Sequence, residues 1–481
     1  MNRFTNHYLE LPSHFYRHID PEPLVDARLV HYNQTLAEQL RIRLENSQVL
    51  QLTAGQAMAP GLEPLAQKYT GHQFGYYNPD LGDGRGLLLG QAIDSENRSW
   101  DLHLKGAGIT PYSRRGDGRA VLRSAVREYL IGEALHHLNI PTTRCLSLCH
   151  SPEPVRREKI EDRASYIRVA KTHVRFGHFE WLAQRGDRSD FEQMANYVVE
   201  VVYPELIDEP PAKRYAELFR TICIRTAELI AKWQAAGFCH GVMNSDNMSV
   251  AGETFDFGPY AFLDDFKIHH ICNHSDTEGR YAYSQQPNIG LWNCQVLGQA
   301  FSMLLSSEQI EQGLDAYVIH YNEAYLHAMG SKFGLPNLAE GDKYFIADSL
   351  ILMDKSDIDF HHFFHHLGKL ESEQEHQWLD FVGDSKAWRE WRQTYLSRTE
   401  QIDREQRRQQ IAEQTASFVL RNHIAQEIIE SCEGGDYDLL SAAMAWLQTP
   451  FSPPADLREN YAHFLQAPRE EQKGIALSCS S

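Results

Sequence analysis

In the first third of the chain, apolar residues come in short runs broken by polar turns; afterwards they recur mainly at three- and four-residue intervals. The first pattern predicts strands and the second helices. Residues 1–75 are mixed, with helical periodicity near Asn33–Arg43 carried by Leu36, Ala37 and Leu40. The run Leu87–Ala92 reads as a buried strand, and a polar turn at Asp94–Arg98 leads to a second at Trp100–Lys105. Two strands joined this way predict a hairpin. A loop rich in Gly and Arg (Gly106–Gly118) precedes a helical pattern over Val121–Leu138, in which Val121, Ala125, Glu128 and Gly132 share one face. Glu128 therefore lies among small apolar neighbours and needs a partner if buried.

Strand patterns at Arg144–Cys149 and Ser165–Lys171 flank a charged loop, Pro152–Arg163. From about Asp190 helices dominate, most clearly over Tyr215–Ala236, where Leu218, Ile222, Thr226, Leu229 and Trp233 form one stripe ending at Gly237. A short β-like hairpin is expected at Met248–Phe257. The remainder is helical and acidic; its most charged stretch, Glu375–Arg421, fits a solvated helix and a docking surface equally well. A strand-rich first third on a helical remainder predicts two lobes meeting near residue 185.

Composition narrows the classes. A hydrophobic fraction of 42% and a charged fraction of 23% are ordinary for a soluble globular protein. The formal charge of −19 gives no general attraction for nucleic acid or anionic membrane, so any phosphate site must be a local island of Arg and Lys. No segment approaches ~18 consecutive apolar residues, and no membrane span is expected. Met1–Phe15 has no secretory pattern, and the eight cysteines form no dense framework, which points to a reducing cytoplasm.

Against that acidic background, one set of residues carries chemistry. Gly82, Gly84 and Gly86, with Arg85 among them, could let backbone approach phosphates or could simply make a tight turn. Lys105 ends a strand and Glu128 follows inside a helix, the order of a kinase Lys–Glu ion pair. His240 and Asn247, then Asp256-Phe257-Gly258, follow a long helix as in a kinase catalytic segment, with Asn247 and Asp256 offering hard oxygens to Mg²⁺. Together these predict an α+β, protein-kinase-like bilobal fold. Its strand-rich N-lobe would occupy residues 1–185 and its larger helical C-lobe 186–400, with a helical C-terminal extension over 401–481.

The chain then departs from a kinase. A catalytic loop reads His-x-Asp, but the Asp position here holds Val242, which cannot accept a proton. Losing a general base costs on the order of 10²–10⁴ in rate. Either the protein is inactive or another carboxylate serves, and Asp246, beside Asn247, is the available substitute. For Arg168 and Arg175 the plain alternative is a surface salt bridge, and for Asp117-Gly118 the cap of the following helix. His361-His362 with His365-His366 has helical spacing but no paired cysteines, which does not favour structural zinc.

Longer motifs identify a family. Gly71-His72-Gln73-Phe74-Gly75, Leu104-Lys105-Gly106-Ala107-Gly108, Pro111-Tyr112-Ser113-Arg114, and His240–Asn247 with Phe255–Phe262 resemble the selenoprotein O (SelO/YdiU) family, from about residue 5 to the last residue. The resemblance implies a pseudokinase that binds ATP flipped relative to kinases and transfers AMP to Ser, Thr or Tyr hydroxyls of proteins. It extends to UMP transfer from UTP with Mn²⁺. Carried over, it implies ATP contacts at Gly82, Gly84, Arg85, Lys105, Asp117, Gly118, Arg168 and Arg175. It also implies Asp246 as proton acceptor, Asn247 as metal ligand, and Asp256 as ligand to metal and nucleotide.

Many members carry selenocysteine third from the C-terminus; this chain has Cys479, for which a disulfide with Cys272 is hypothesised. Two rival functions stand beside AMP transfer. A small-molecule phosphotransferase would share His240-Gly241 but lacks its Asp here. A silent nucleotide-binding scaffold would not need Lys105, Glu128, Asn247 and Asp256 together.

Overall fold

Antiparallel pairing builds a nine-stranded sheet in the computed structural model, which describes residues 4–475 and Leu477. Across it run Tyr16–His18, Leu65–Gln67, Gly86–Ile93, Ser99–Lys105, Ile160–Ala170, Arg144–Arg156 and Arg28–Tyr32. Phe4–Thr5 pairs with Gly86–Ile93, and Ala120–Val121 with Ile160–Ala170. The register sets Lys105 opposite Tyr166, His103 opposite Arg168 and Asp101 opposite Ala170. Because side chains alternate along a strand, these polar residues share one face. Leu102, Leu104, Ile167 and Val169 fill the other with Leu36, Leu40 and Leu87.

The helix Leu122–His137 packs on the polar-bearing side of this architecture and is buried along most of its length. Its outer side is covered by the helices Asn422–Glu433 and Asp438–Leu447, far away in sequence. Arg127 stacks 4.3 Å over the Tyr260 ring and donates to the Tyr260 carbonyl (3.0 Å), while the Tyr260 hydroxyl donates to the Arg127 carbonyl (2.9 Å). Helix and post-Asp-Phe-Gly segment are thereby fastened together. The long helix Pro211–Ala235, begun by proline where no amide donor is needed, packs against Ser307–Lys332 and Gln286–Phe301. No helix among the described residues is long and apolar enough to cross a membrane.

Four expectations need correction. The charged stretch Pro152–Arg163 is not a loop but the arms of a hairpin, paired from Ser151↔Arg163 to Arg156↔Ile160. Pro154, which disrupts a strand pattern, sits where the register shifts, and the charges are neutralised across elements, Arg123 by Glu161 and Arg163 by Glu22 and Glu153. Met248–Phe257 forms no hairpin with itself. Its backbone bonds go outward, Phe176 N to Met248 O (2.9 Å), Val250 N to Val174 O (3.2 Å) and Thr254 N to Pro141 O (2.9 Å). Continuous helix begins at Phe176 rather than near Asp190. Finally, Glu375–Arg421 is no simple solvated helix: its helices bury Trp378, Trp388, Trp391 and Tyr395 in a second core with Phe333, Phe345, Phe363 and Phe364.

Candidate functional site

The polar face of the sheet, the helix Leu122–His137 and the loop carrying Asp256 enclose a cleft of about 660 Å³, and every nucleotide, base and metal-ligand candidate from Gly82 to Asp256 lines it, His240 lying behind them. Strand register delivers Lys105 and Arg168 to one side; the helix delivers Glu128 opposite them. Lys105 Nζ lies 3.0 Å from Glu128 Oε2 and 2.8 Å from Asp256 Oδ1. Arg168 Nη1 reaches Glu128 Oε1 at 3.2 Å and Asp256 Oδ1 at 2.6 Å. Arg175, at the start of the helix Phe176–Arg185, closes on Asp256 Oδ2 and donates to the Asp246 carbonyl (2.8 Å). Both arginines are fully interior, which excludes the surface salt bridge.

Three cations thus meet two carboxylates in a largely buried cluster. Burial alone would raise the Asp256 carboxyl, but Arg175, Lys105 and Arg168 hold it well below the ordinary range. Glu128 is likewise held low against its burial by Lys105 and Arg168. Burial and the neighbouring Arg168 lower the Lys105 ammonium in spite of its two carboxylate partners. Asp256 itself has φ +58°, a left-handed backbone that swings its side chain into the cation cluster.

The catalytic-loop frame is held by His240. Its Nδ1 accepts from Val242 N (3.3 Å), leaving Nε2 to donate to the Phe255 carbonyl (3.1 Å), so the imidazole is neutral and structural. Asn247 donates through Nδ2 to the Val242 carbonyl (3.1 Å), which leaves its amide oxygen for a cation. Magnesium is typically held by one or two carboxylate or amide oxygens plus substrate phosphates, and Asn247 with Asp256 supplies that donor set. Asp246 is 7% exposed, and burial pushes its carboxyl up to about 7, with Arg175 and Gln73 opposing.

The glycines answer partly to packing. Gly82 has φ +144°, and a Cβ there would lie 2.5 Å from the Tyr112 ring. One on Gly86 would lie 2.2 Å from His103. Arg85 is exposed at the rim. Asp117 is not a helix cap, since the helix begins at Leu122 behind Val121; it is gripped by Arg157 at 2.7 and 2.9 Å, which lowers its carboxyl.

Sequence patterns alone did not single out Tyr166, His173 or Gln73. Tyr166 donates to Glu128 Oε2 (2.5 Å), and its signal was its place two residues before Arg168 on the same strand. His173 accepts from Arg168 Nε (3.1 Å) and is anchored by Asp101. Gln73 donates to Asp246 Oδ2 (3.1 Å) and stood only inside a family motif. The cysteine pair lies apart from the cleft. Cys272 is buried, beside Asn273, which bridges to Leu477; Cys479 lies outside the described residues.

The chain also matches known proteins. The family described as "Protein adenylyltransferase SelO" matches residues 1–448. Proteins called "Protein nucleotidyltransferase YdiU" are similar along their whole length. That of Hydrogenovibrio crunogenus is 51% identical, covering 98% of this chain and 99% of its own. Those of Aliivibrio salmonicida and Vibrio cholerae are each 42% identical, covering 99% of this chain and 98% of theirs.

Proposed function

This chain belongs to the SelO family of protein adenylyltransferases and is a nucleotide-transferring enzyme; from that premise we propose that it moves AMP from ATP to Ser, Thr or Tyr hydroxyls of proteins and releases pyrophosphate. The observation that carries this reading is the separation of roles within the cleft. Three buried cations, Lys105, Arg168 and Arg175, engage the Asp256 carboxylate, whereas the Asp246 carboxyl, pushed up to about 7 by burial, is bonded by Gln73, and Arg175 bonds only its backbone carbonyl.

With the nucleotide reversed, the cations bind the β- and γ-phosphates, and the α-phosphorus faces the acceptor. The acceptor oxygen bonds to that phosphorus as its proton passes to Asp246. The bond from the α-phosphorus to the bridging oxygen breaks, and pyrophosphate departs with the electron pair. Lys105, Arg168 and Arg175 neutralise the charge that grows on it, the kind of preorganised electrostatic stabilisation that dominates such reactions. Asn247 and Asp256 would hold Mg²⁺ or Mn²⁺, which when bound supplies further charge neutralisation at the phosphates. Val242 fits this arrangement because no base is needed where a kinase keeps one. UTP, which presents the same triphosphate, is read as a second donor.

The wider expectations extend the same reading. Residues 1–185 and 186–400 form the two lobes of a kinase-like body, with 401–481 as its helical extension, in a reducing cytoplasmic setting. The seven described cysteines, buried and unpaired, support that setting. The test uses ATP labelled at the α- or γ-phosphate, divalent metal and candidate protein acceptors. Label arriving from the α position alone supports AMP transfer. Arrival from γ means a kinase, and neither means a scaffold. Asp246→Ala should abolish α-label transfer, and a variant that keeps it would remove Asp246 from the base position.

A further inference from the structure

Three successive carbonyls of the Gly-rich loop are held by one neighbouring segment. Asp83 O accepts from Thr110 Oγ1 (2.6 Å), Gly84 O from Ser113 Oγ, and Arg85 O from Gly106 N (2.8 Å) and Ala107 N (3.2 Å). The two hydroxyls are themselves fixed. Thr110 Oγ1 accepts from Tyr112 N (3.1 Å), and Ser113 Oγ accepts from Thr110 N (2.8 Å). Each oxygen is thus occupied from its own segment, and its one hydrogen goes to the loop. Thr110 and Ser113 are both buried. Loop and segment also touch closely, since a Cβ on Gly84 would lie 2.9 Å from the Tyr112 carbonyl oxygen. Only glycine allows that approach.

This pinning sets the direction of the loop amides. Across a trans peptide, the C=O of one residue and the N–H of the next point in opposite directions, and no described peptide bond is cis. With the Asp83 and Gly84 carbonyls bound to Thr110 and Ser113, the N–H groups of Gly84 and Arg85 are turned away from that segment. Neither donates to a described atom, and both residues line the cleft. Two successive unengaged amides on a fixed backbone suit phosphate oxygens. Carbonyls turned the same way would repel them, and the hydroxyls prevent that turn.

We propose that Thr110 and Ser113 are positioning residues that hold the Gly-rich loop as a rigid phosphate seat, presenting the amides of Gly84 and Arg85 to the triphosphate of the nucleotide. This rests on the AMP-transfer reading and deepens it. The Gly-rich loop of a kinase closes over its substrate as a mobile flap. A loop bound at three consecutive carbonyls is a fixed wall instead.

Thr110→Val and Ser113→Ala each delete one hydroxyl at little change in volume. KM for ATP should rise about tenfold in each, the lower end of what a hydrogen bond to a charged group contributes, while KM for the protein acceptor stays unchanged. Binding of inorganic triphosphate with Mg²⁺, read by calorimetry, should weaken by the same factor, which a fault at the nucleobase would not produce. Hydrogen exchange adds a direct readout. In wild type, α,β-methylene-ATP should protect the amides of residues 82–86, and each variant should lose most of that protection. Thr110→Ser, which restores a hydroxyl, should recover most of what Thr110→Val loses. Ser349→Ala removes a buried hydroxyl from the second core and should alter neither KM nor triphosphate binding. Unchanged triphosphate affinity and unchanged exchange in both hydroxyl-deleted variants overturn the proposal, as does a wild type in which the analogue leaves residues 82–86 unprotected. If wild type transfers no AMP, the functional reading falls, while triphosphate binding and exchange still decide the role of Thr110 and Ser113. Should Thr110→Val not fold, Ser113→Ala carries the same measurements.

Discussion

Restoring the missing kinase aspartate tests the direction of the nucleotide. Val242 lines the cleft at 8% exposure, and its backbone is fixed at both ends, N–H to His240 Nδ1 and carbonyl from Asn247 Nδ2. Val242→Asp therefore changes a side chain on a loop already held in the kinase frame. If the γ-phosphate points inward, the new carboxylate has no γ-phosphorus to serve and only perturbs Asp246. At an effective dielectric of about 20, two carboxylates ~10 Å apart repel by about 1.7 kcal/mol. That corresponds to slightly more than one pH unit, and the two groups would titrate as a coupled pair. Asp246 titrates near 7 in the native cleft. Its ionised fraction at pH 7 should fall from about half to under a tenth, lowering α-label transfer about fivefold or more. Parallel assays with α- and γ-labelled ATP across pH 6–9 read both effects. Appearance of γ-label on the acceptor, at a rate approaching wild-type α-transfer, would refute the reversed orientation.

Arg168→Lys keeps the charge but loses the fork that spans Glu128, Asp256 and His173; α-transfer should fall about a hundredfold, comparable to losing one preorganised donor, with steady-state kinetics as the check. Gly86→Ala forces a Cβ to 2.2 Å from His103, itself stacked on His173 at 4.5 Å, so urea unfolding should show a loss of about 1–3 kcal/mol from overpacking. His103→Ala in the same chain should recover part of that loss. The raised carboxyl of Asp246 gives a stability term of definite sign. Its folded value near 7 exceeds the ordinary 3.8, so the group costs progressively more stability as pH rises from about 4 to 7. Asp246→Asn should therefore melt higher than wild type at pH 8, and the gain should shrink toward pH 5. Cys272 has its thiol pushed well above the ordinary range by burial, which disfavours its thiolate; non-reduced peptide mass spectrometry detects a Cys272–Cys479 linkage, and its consistent absence after oxidant rejects the pair.

Strand–Lys105, helix–Glu128 and the ordered sequence His240, Asn247, Asp256 were legible because each is local: spacing within one strand, helix or loop fixes which way the side chain points. Periodicity alone located the helices near Leu122–His137 and Pro211–Ala235 to within a few residues. What stayed hidden depends on partners distant in the chain. Met248–Phe257 looked like a hairpin because its apolar residues alternate, yet its backbone is bonded to Pro141, Val174 and Phe176. Pro152–Arg163 looked like a loop because charges and Pro154 mask a strand whose neutralising partners, such as Glu22, lie elsewhere. Gln73 was invisible for the same reason, since nothing near position 73 announces Asp246.

The helices Asn422–Glu433 and Asp438–Leu447 form the outer wall of the helix that carries Glu128, and they leave the ribosome long after it does. Until they emerge, the apolar flank of Leu122–His137 has nothing to cover it, and the Lys105–Glu128 contact lacks its backing. A nascent chain would thus be silent until both helices have emerged, and a message truncated before residue 422 would yield no rogue transferase able to label its neighbours.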